Sequence, residues 1–164
     1  MSSIPRLFVS ALLEPSVPLR LEEDASKYLM RVMRLAAGDE VRVFNGRDGE
    51  WSAKLVPESA KKASLEPVRQ TRAQVEVPDL TLLFAPLKKA RTDFVVEKAC
   101  ELGVRQIQPV MTEWTQASRV RTDRLQATVI EAAEQTERMD IPVVLEDMPL
   151  AKALDTWDSG VPLY

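Results

Sequence analysis

The sequence predicts two domains in series: an α+β unit built as a small β-barrel over residues 1–76, then a parallel α/β unit over residues 77–164. Three observations carry this. Short apolar runs separated by charged turns, with a single helical stretch among them, fill the first part. At Pro78-Asp79 the pattern changes to strand–helix alternation, which gives a parallel sheet with right-handed crossovers. Directly after that change, Leu80-Thr81-Leu82-Leu83-Phe84-Ala85 is a continuous apolar run, the pattern of a strand buried on both faces.

In the first part, residues 6–10 form a short apolar strand. Residues 23–35 have helical spacing, with Tyr28, Leu29, Val32 and Leu35 on one stripe and Gly38 in the turn beyond. Glu40-Val41-Arg42-Val43-Phe44 reads as a strand, Asn45-Gly46-Arg47-Asp48-Gly49 as a turn, and residues 51–56 as the hairpin partner. Two further strands are expected at 63–68 and 74–77. In the second part, the buried strand is followed by a helix over 92–102 that stops at Gly103. A strand over 104–110 comes next. Thr122 is placed as the cap of a helix running through Leu125, Val129, Ala132, Ala133 and Thr136 and ending before Pro142. A strand over 143–145, a helix over 150–157 and the start of another strand at 161–164 complete the pattern. A parallel sheet with no helix after its last strand leaves one face uncovered, so the chain is expected to be the N-terminal part of a longer α/β domain.

Composition removes whole classes of chemistry. The sequence has no histidine and one cysteine, Cys100. Serine and cysteine triads, HExxH zinc sites, intrachain disulfides and multi-cysteine metal sites are therefore excluded. With five glycines, no GxGxxG and no GxxxxGK[ST], no dinucleotide or nucleoside-triphosphate loop is present. No run is long and apolar enough to span a membrane, and no signal-peptide core opens the chain, so a cytoplasmic protein is expected. The net charge is −3, but residues 86–124 hold 8 basic against 5 acidic side chains. Such a strip on an acidic chain reads either as solvated helix faces or as a polyanion site.

Three polar constellations remain. Lys88-Lys89-Ala90-Arg91 lies between the buried strand and the next helix, where α/β proteins bind ligands and a helix N-terminus favours anions; a solvated loop is the other reading. Glu97 and Glu101 share a helix face, with Lys98 able to pair with Glu101; an acid–base pair and an ordinary surface both fit. Glu131, Gln135 and Arg138 share another face, beside small alanines that allow close approach of a second backbone. Cys100 faces the sheet as a small core residue.

Together these segments resemble the bacterial small-subunit rRNA uridine-N3 methyltransferases. The likeness is carried by Arg6-Leu7-Phe8-Val9, by Tyr28-Leu29…Val32-Met33-Arg34-Leu35…Gly38-Asp39…Val43-Phe44-Asn45-Gly46, and by Gly49-Glu50-Trp51. In the second part it is carried by Lys88-Lys89-Ala90-Arg91, Glu97-Lys98-Ala99-Cys100-Glu101-Leu102-Gly103-Val104, Ile107-Gln108-Pro109 and Glu131-Ala132-Ala133-Glu134-Gln135-Thr136…Arg138…Ile141-Pro142. The resemblance implies a PUA-like β-barrel and then a partial SPOUT domain whose knot and cofactor loops are missing. It implies a homodimer that takes S-adenosyl-L-methionine and methylates uracil N3 in 16S rRNA of the small ribosomal subunit, with no metal and no membrane. RNA contacts are expected from Arg6, Arg34, Lys88, Lys89 and Arg91. Glu101, Glu134, Gln135 and Arg138 are expected at the cleft or dimer contact. Tyr28 stands where the family often has His, and Leu7 where it has a second Arg. The family's Gly-Pro-Glu-Gly-Gly loop is absent, so the cofactor site is expected mostly outside these residues, and the chain alone is expected to be inactive. The alternative is a non-catalytic module that binds structured RNA.

Overall fold

In the computed structural model, residues 4–115 and 120–164 are described. The chain divides into two compact units. One comprises Met1–Glu76 together with Glu134–Asp140, the other Val77–Ala133 together with Ile141–Tyr164. The sequence pattern assigned everything beyond residue 77 to the second unit, and the seven residues Glu134–Asp140 depart from that.

The first unit contains strands β1 (Arg6–Phe8) and β2 (Leu19–Arg20) and helix α1 (Glu23–Lys27), which runs on as a π-helical turn over Tyr28–Val32. Strands β3 (Glu40–Phe44), β4 (Glu50–Ser59) and β5 (Lys62–Arg72) follow. They form one mixed five-stranded sheet in the order β1-β3-β4-β5-β2, with β1 parallel to β3 and the other pairs antiparallel. Among the described residues no pairing joins β1 to β2, so the expected barrel is a half-barrel. Alternation puts Val41 and Val43 of β3 inward, against Ala53 and Leu55 of β4, Leu65 of β5 and Leu29 of the helix, all fully buried.

One strand expectation fails here. The run at 63–68 lies within β5, while 74–77 forms no strand. β5 extends beyond that run to Arg72, because the β4–β5 ladder continues through residues 69–72, with register shifts between Glu50 and Trp51, between Ser52 and Ala53, and between Pro57 and Ser59. Bulges of this kind absorb mismatched residues without ending the pairing. The helix at 23–35 also differs. Met33 N–H donates to Tyr28 O at 2.9 Å, an i→i−5 bond, and Arg34 ends the helix with φ 56°. The wider π turn shifts the stripe, so Leu29 is buried while Tyr28 and Val32 are exposed.

The turn after β3 forms as its sequence dictates. Asn45 Oδ1 accepts from the amides of Arg47 (3.0 Å) and Asp48 (2.8 Å). Asp48 Oδ2 accepts from the Leu13 amide at 3.0 Å and from Asn45 Nδ2 at 2.5 Å. Gly49 has φ 75°, and a Cβ there would lie 2.2 Å from Arg72 O, so only glycine fits.

Arg6 is nearly buried. Its Nε donates to Glu50 Oε2 at 2.8 Å, and its Nη1 and Nη2 donate to Glu134 O and Arg138 O, each at 3.1 Å. The guanidinium also lies 4.5 Å from the centre of the Phe44 ring. Glu134 Oε1 accepts from the Phe8 amide at 2.9 Å, and Arg138 is paired with Asp140 at 2.6 Å. These three residues fix Glu134–Asp140 to the first unit.

The second unit contains β6 (Thr81–Phe84), α2 (Lys89–Glu101), β7 (Gln106–Met111), α3 (Thr122–Gln135), β8 (Val143–Val144), β9 (Met148–Pro149) and α4 (Leu150–Asp155). The last two residues of α3 belong to the first unit. The sheet is parallel, ordered β6-β7-β8, with β9 joining β7 at Val110 and Met111. Strands added in one direction by right-handed crossovers put α2 and α3 on the same face. Their packing agrees: Cys100 Sγ donates to Val129 O at 3.4 Å, and Arg124 pairs with Asp93. The buried strand is therefore β7, whose Ile107, Gln108, Pro109 and Val110 are buried. Contrary to expectation, all four residues of β6 are half-buried, because β6 is an edge strand with helices on one face only. Residues 161–164 are exposed and form no strand. There Val161 N–H closes a turn on Asp158 O at 2.9 Å, and Trp157 Nε1 donates to Val161 O at 3.0 Å. Thr122 lies within the first turn of α3, and its hydroxyl donates to Glu146 Oε1 at 2.8 Å.

Two measurements check this description. Arg6→Met leaves the Glu50 carboxylate buried with only Arg42, 3.6 Å away, as a cation partner. It should lower stability by about 3 kcal/mol, read as a fall in the urea midpoint, and Arg6→Met with Glu50→Gln should recover part of the loss. The hydrogen bonds from Leu13 and Asn45 hold the Asp48 carboxyl below its ordinary value of 3.8. Its contribution is complete above that value and disappears as pH falls through the lowered folded one. Urea titrations at neutral pH and near pH 3 should show a smaller acid-induced loss in Asp48→Asn than in the parent.

Candidate functional site

β6 delivers the chain to the carboxyl edge of the parallel sheet, where Pro86 is buried and Leu87 and Lys88 turn into α2. The turn is locked by Thr92: its Oγ1 accepts from the Leu87 amide and donates to Leu87 O, both at 2.9 Å. Lys88 is extended (φ −60°, ψ 144°), and its carbonyl accepts the first helical bonds, from Arg91 N–H at 2.8 Å and Thr92 N–H at 3.1 Å. No side-chain hydrogen bond caps this helix.

A cavity of about 510 Å³ opens at this point. Leu87, Lys88, Lys89, Thr92 and Asp93 line it from the α2 side, and Val120, Arg121, Arg124 and Leu125 from the start of α3. Four cations thus surround it against one carboxylate, Asp93, which is engaged by Arg124. Arg121 forms a two-pronged pair with Asp123, at 3.0 and 2.7 Å. The hydrogen bond from Arg121 holds the Asp123 carboxyl down at about 2, so the pair persists at any physiological pH. Lys88 and Lys89 are exposed and have no acidic partner among the described residues. Two helix N-termini and four cations give the cavity a chemistry that suits an anion, with apolar walls from Leu87, Val120 and Leu125.

The remaining expected residues fall elsewhere. Arg91 is exposed in the first turn of α2 and does not line the cavity. Arg34 is exposed in the first unit. Arg6 cannot meet RNA as expected: its guanidinium is buried and used by Glu50, Glu134 O and Arg138 O. Glu134 and Arg138, expected at a cleft or dimer contact, are engaged within the first unit by the same network. Gln135 is exposed. Glu101 holds Lys98 at 2.7 Å, and Glu97 holds the same ammonium at 3.0 Å. Lys98 lowers the Glu97 pKa, and the two carboxylates raise that of Lys98, so both carboxylates serve as ion-pair partners of Lys98. Arg121, Arg124 and Asp93 were not singled out by the pattern. The only sequence signal for the two arginines was their place in the basic strip 86–124. Among the described residues no cluster of three or more His, Cys, Asp or Glu could hold a metal, and no helix is long and apolar enough to cross a membrane.

Comparison with known proteins follows this geometry. Residues 75–163 match an RNA methyltransferase domain and residues 21–68 an RNA methyltransferase PUA domain. The sequence is 31% identical over 140 residues to the ribosomal RNA small subunit methyltransferase E of Rickettsia conorii, covering 85% of this chain and 57% of that protein. It is 35% identical over 119 residues to the protein of the same name from a Synechocystis species, covering 71% of this chain and 39% of the other. The chain thus spans about half the length of these relatives. Among solved structures, a ribosomal RNA small subunit methyltransferase E from Neisseria gonorrhoeae, bound to S-adenosyl methionine, superimposes with a TM-score of 0.87 at 28% identity. That match covers 96% of this chain and 67% of the other.

Proposed function

The chain belongs to the RNA methyltransferase family, and from that premise we propose that it is the RNA-binding part of an enzyme that methylates uracil N3 in 16S rRNA, with S-adenosyl-L-methionine as donor. The observation that carries this reading is the cation-lined cavity at the carboxyl edge of the family's methyltransferase domain. Ribosomal RNA is a polyanion, and Lys88, Lys89, Arg121 and Arg124 supply the charge that binds its phosphates. Arg91 and Arg34, both exposed, extend the contact. The wider reading is a cytoplasmic homodimer with a knotted SPOUT domain and a PUA-like RNA-binding domain, acting on the small ribosomal subunit.

The donor supplies an electrophilic methyl group. The described cavity does not suit that molecule. A sulfonium is itself cationic, and four cations around the cavity disfavour it. No glycine lines the cavity to let backbone approach the ligand closely. No step is therefore assigned through the cofactor within these residues. Their part is to bind and orient the RNA. The N3–H proton is weakly acidic and must leave before N3 attacks, and cationic surroundings favour the resulting anion.

This charge pattern also supports the second reading, in which the chain is an RNA-binding module without catalysis. Deleting the gene that encodes the chain separates the two. On the first reading, mass spectrometry of 16S rRNA digests should show loss of one N3-methyluridine, restored by the intact gene. Undiminished N3-methyluridine would leave only the binding module. Calorimetric titration of the 164-residue chain with S-adenosyl-L-methionine should show negligible heat, and micromolar binding would place a cofactor pocket among these residues.

RNA binding has its own test. Lys88→Glu with Lys89→Glu should weaken binding of the chain to a 16S rRNA fragment and reduce the slope of log affinity against log salt by about 2. An unchanged slope would remove the cavity from the interface.

A further inference from the structure

We propose that Trp114 and the cation-lined cavity together seat one single-stranded RNA step, with a backbone phosphate among the cations and an adjoining unpaired base stacked on the Trp114 indole. The proposal rests on the RNA-binding reading above and adds the form of RNA recognised and the residue that recognises it.

Trp114 is 86% exposed. The other two tryptophans are partly buried, and each donates its indole N–H to a carbonyl: Trp51 to Asp48 O at 2.8 Å and Trp157 to Val161 O at 3.0 Å. Trp114 Nε1 has no acceptor among the described residues. Its indole therefore offers an open aromatic face and a free donor edge to a ligand.

Its mounting is rigid. β7 is buried through Val110, and the chain then makes a tight turn, Thr112-Glu113-Trp114-Thr115. Thr115 N–H donates to Thr112 O at 3.1 Å, Thr112 N–H donates to Thr115 Oγ1 at 2.9 Å, and the two hydroxyls lie 2.9 Å apart. The indole thus stands at the tip of a turn closed by three hydrogen bonds, on the central strand of the sheet.

Topology sets its neighbourhood. β6 and β7 are parallel and in register, with Phe84 opposite Pro109. Their exits therefore lie side by side at the carboxyl edge. The exit of β6 leads into the cavity, and the exit of β7 carries Trp114. Cations and an exposed indole at one sheet edge are the two components of single-strand recognition, one reading the backbone and the other the face of a base. Glu113, exposed next to Trp114, repels phosphate, which assigns the base to the indole and the phosphate to the cavity. A protein partner would also cover an exposed tryptophan, but the four cations at the same edge favour a polyanion.

Fluorescence anisotropy with the 164-residue chain tests this, using a short labelled single-stranded RNA and the same strand in a duplex. The single strand should bind more tightly than the duplex. Trp114→Ala should weaken single-strand binding about tenfold or more, with the salt slope unchanged, and Trp114→Phe should restore most of it. Far-UV circular dichroism verifies that both variants fold. Equal affinity of Trp114→Ala and the parent would overturn the stacking assignment, while a reduced salt slope in Lys88→Glu/Lys89→Glu would still leave the RNA-binding reading intact. A Trp114→Ala variant that changes sedimentation but not RNA affinity would make Trp114 a protein contact and overturn the proposal. An unchanged slope in the lysine variant would overturn both readings.

Discussion

The first unit depends on one buried ion pair. Arg6 and Glu50 lie 2.8 Å apart with side chains only 9% and 6% exposed. Two charges removed from water are stable only when each is paired and its remaining donors and acceptors are satisfied. Glu50 receives Arg6, has Arg42 3.6 Å away and is within hydrogen-bond reach of Thr71 Oγ1. The rest of the Arg6 fork is satisfied by two backbone carbonyls, of Glu134 and Arg138, separated by 128 and 132 residues in sequence. The planar guanidinium suits this role, since it delivers several donors in fixed directions while its face rests on Phe44. A parallel pairing of β1 with β3 brings Arg6 opposite Arg42 and Phe8 opposite Phe44, and Glu50 of β4 lies opposite Phe44, so the Arg6 side chain reaches it diagonally across β3. Strand register, aromatic contact and buried charge are one arrangement.

In the second unit the governing constraint is the hand of the crossovers. Because β6, β7 and β8 are added in one direction, α2 and α3 lie on one face and both start at the same edge. That edge collects the N-termini of two helices of 13 and 14 residues, and the chain spends its local excess of lysine and arginine there. The Asp93–Arg124 pair joins the two helix starts at the cavity.

Much of this was legible in the sequence because it is written in local periodicity. The boundary near residue 76, the Asn45–Gly49 turn, α2 with its stop at Gly103 and the Lys98–Glu101 pair all follow from spacings of a few residues. The failures share a cause: they depend on partners far along the chain. Nothing near Arg6 announces that its donors go to Glu134 and Arg138, so its charge read as an RNA contact. The charged residues 69–72 read as a turn because the long ladder with β4, interrupted by bulges, is not a local property. The π turn at Tyr28–Val32 keeps a helical composition while breaking the 3.6-residue stripe. Leu80-Thr81-Leu82-Leu83-Phe84-Ala85 carries the composition of a central strand, yet its half-burial is set by its place at the sheet edge, which composition does not encode. The cavity was half visible. Lys88 and Lys89 stood out as a run, while Arg121 and Arg124 reach the same space only because two helices start side by side.

The separation of duties that results is an electrostatic one. A methylation reaction on RNA brings together a polyanion and a cationic donor, and one pocket cannot favour both. Surroundings that attract phosphate raise the energy of a sulfonium at the same place, by an amount that grows as water is excluded. On the function proposed above, the four cations around the described cavity serve the nucleic acid. The carboxylates near that edge are engaged, Asp93 by Arg124 and Asp123 by Arg121, so the uncompensated charge is that of Lys88 and Lys89, which are exposed. The arginines are fixed by their pairs and give the cavity shape, and the lysines, on flexible stems, give it reach.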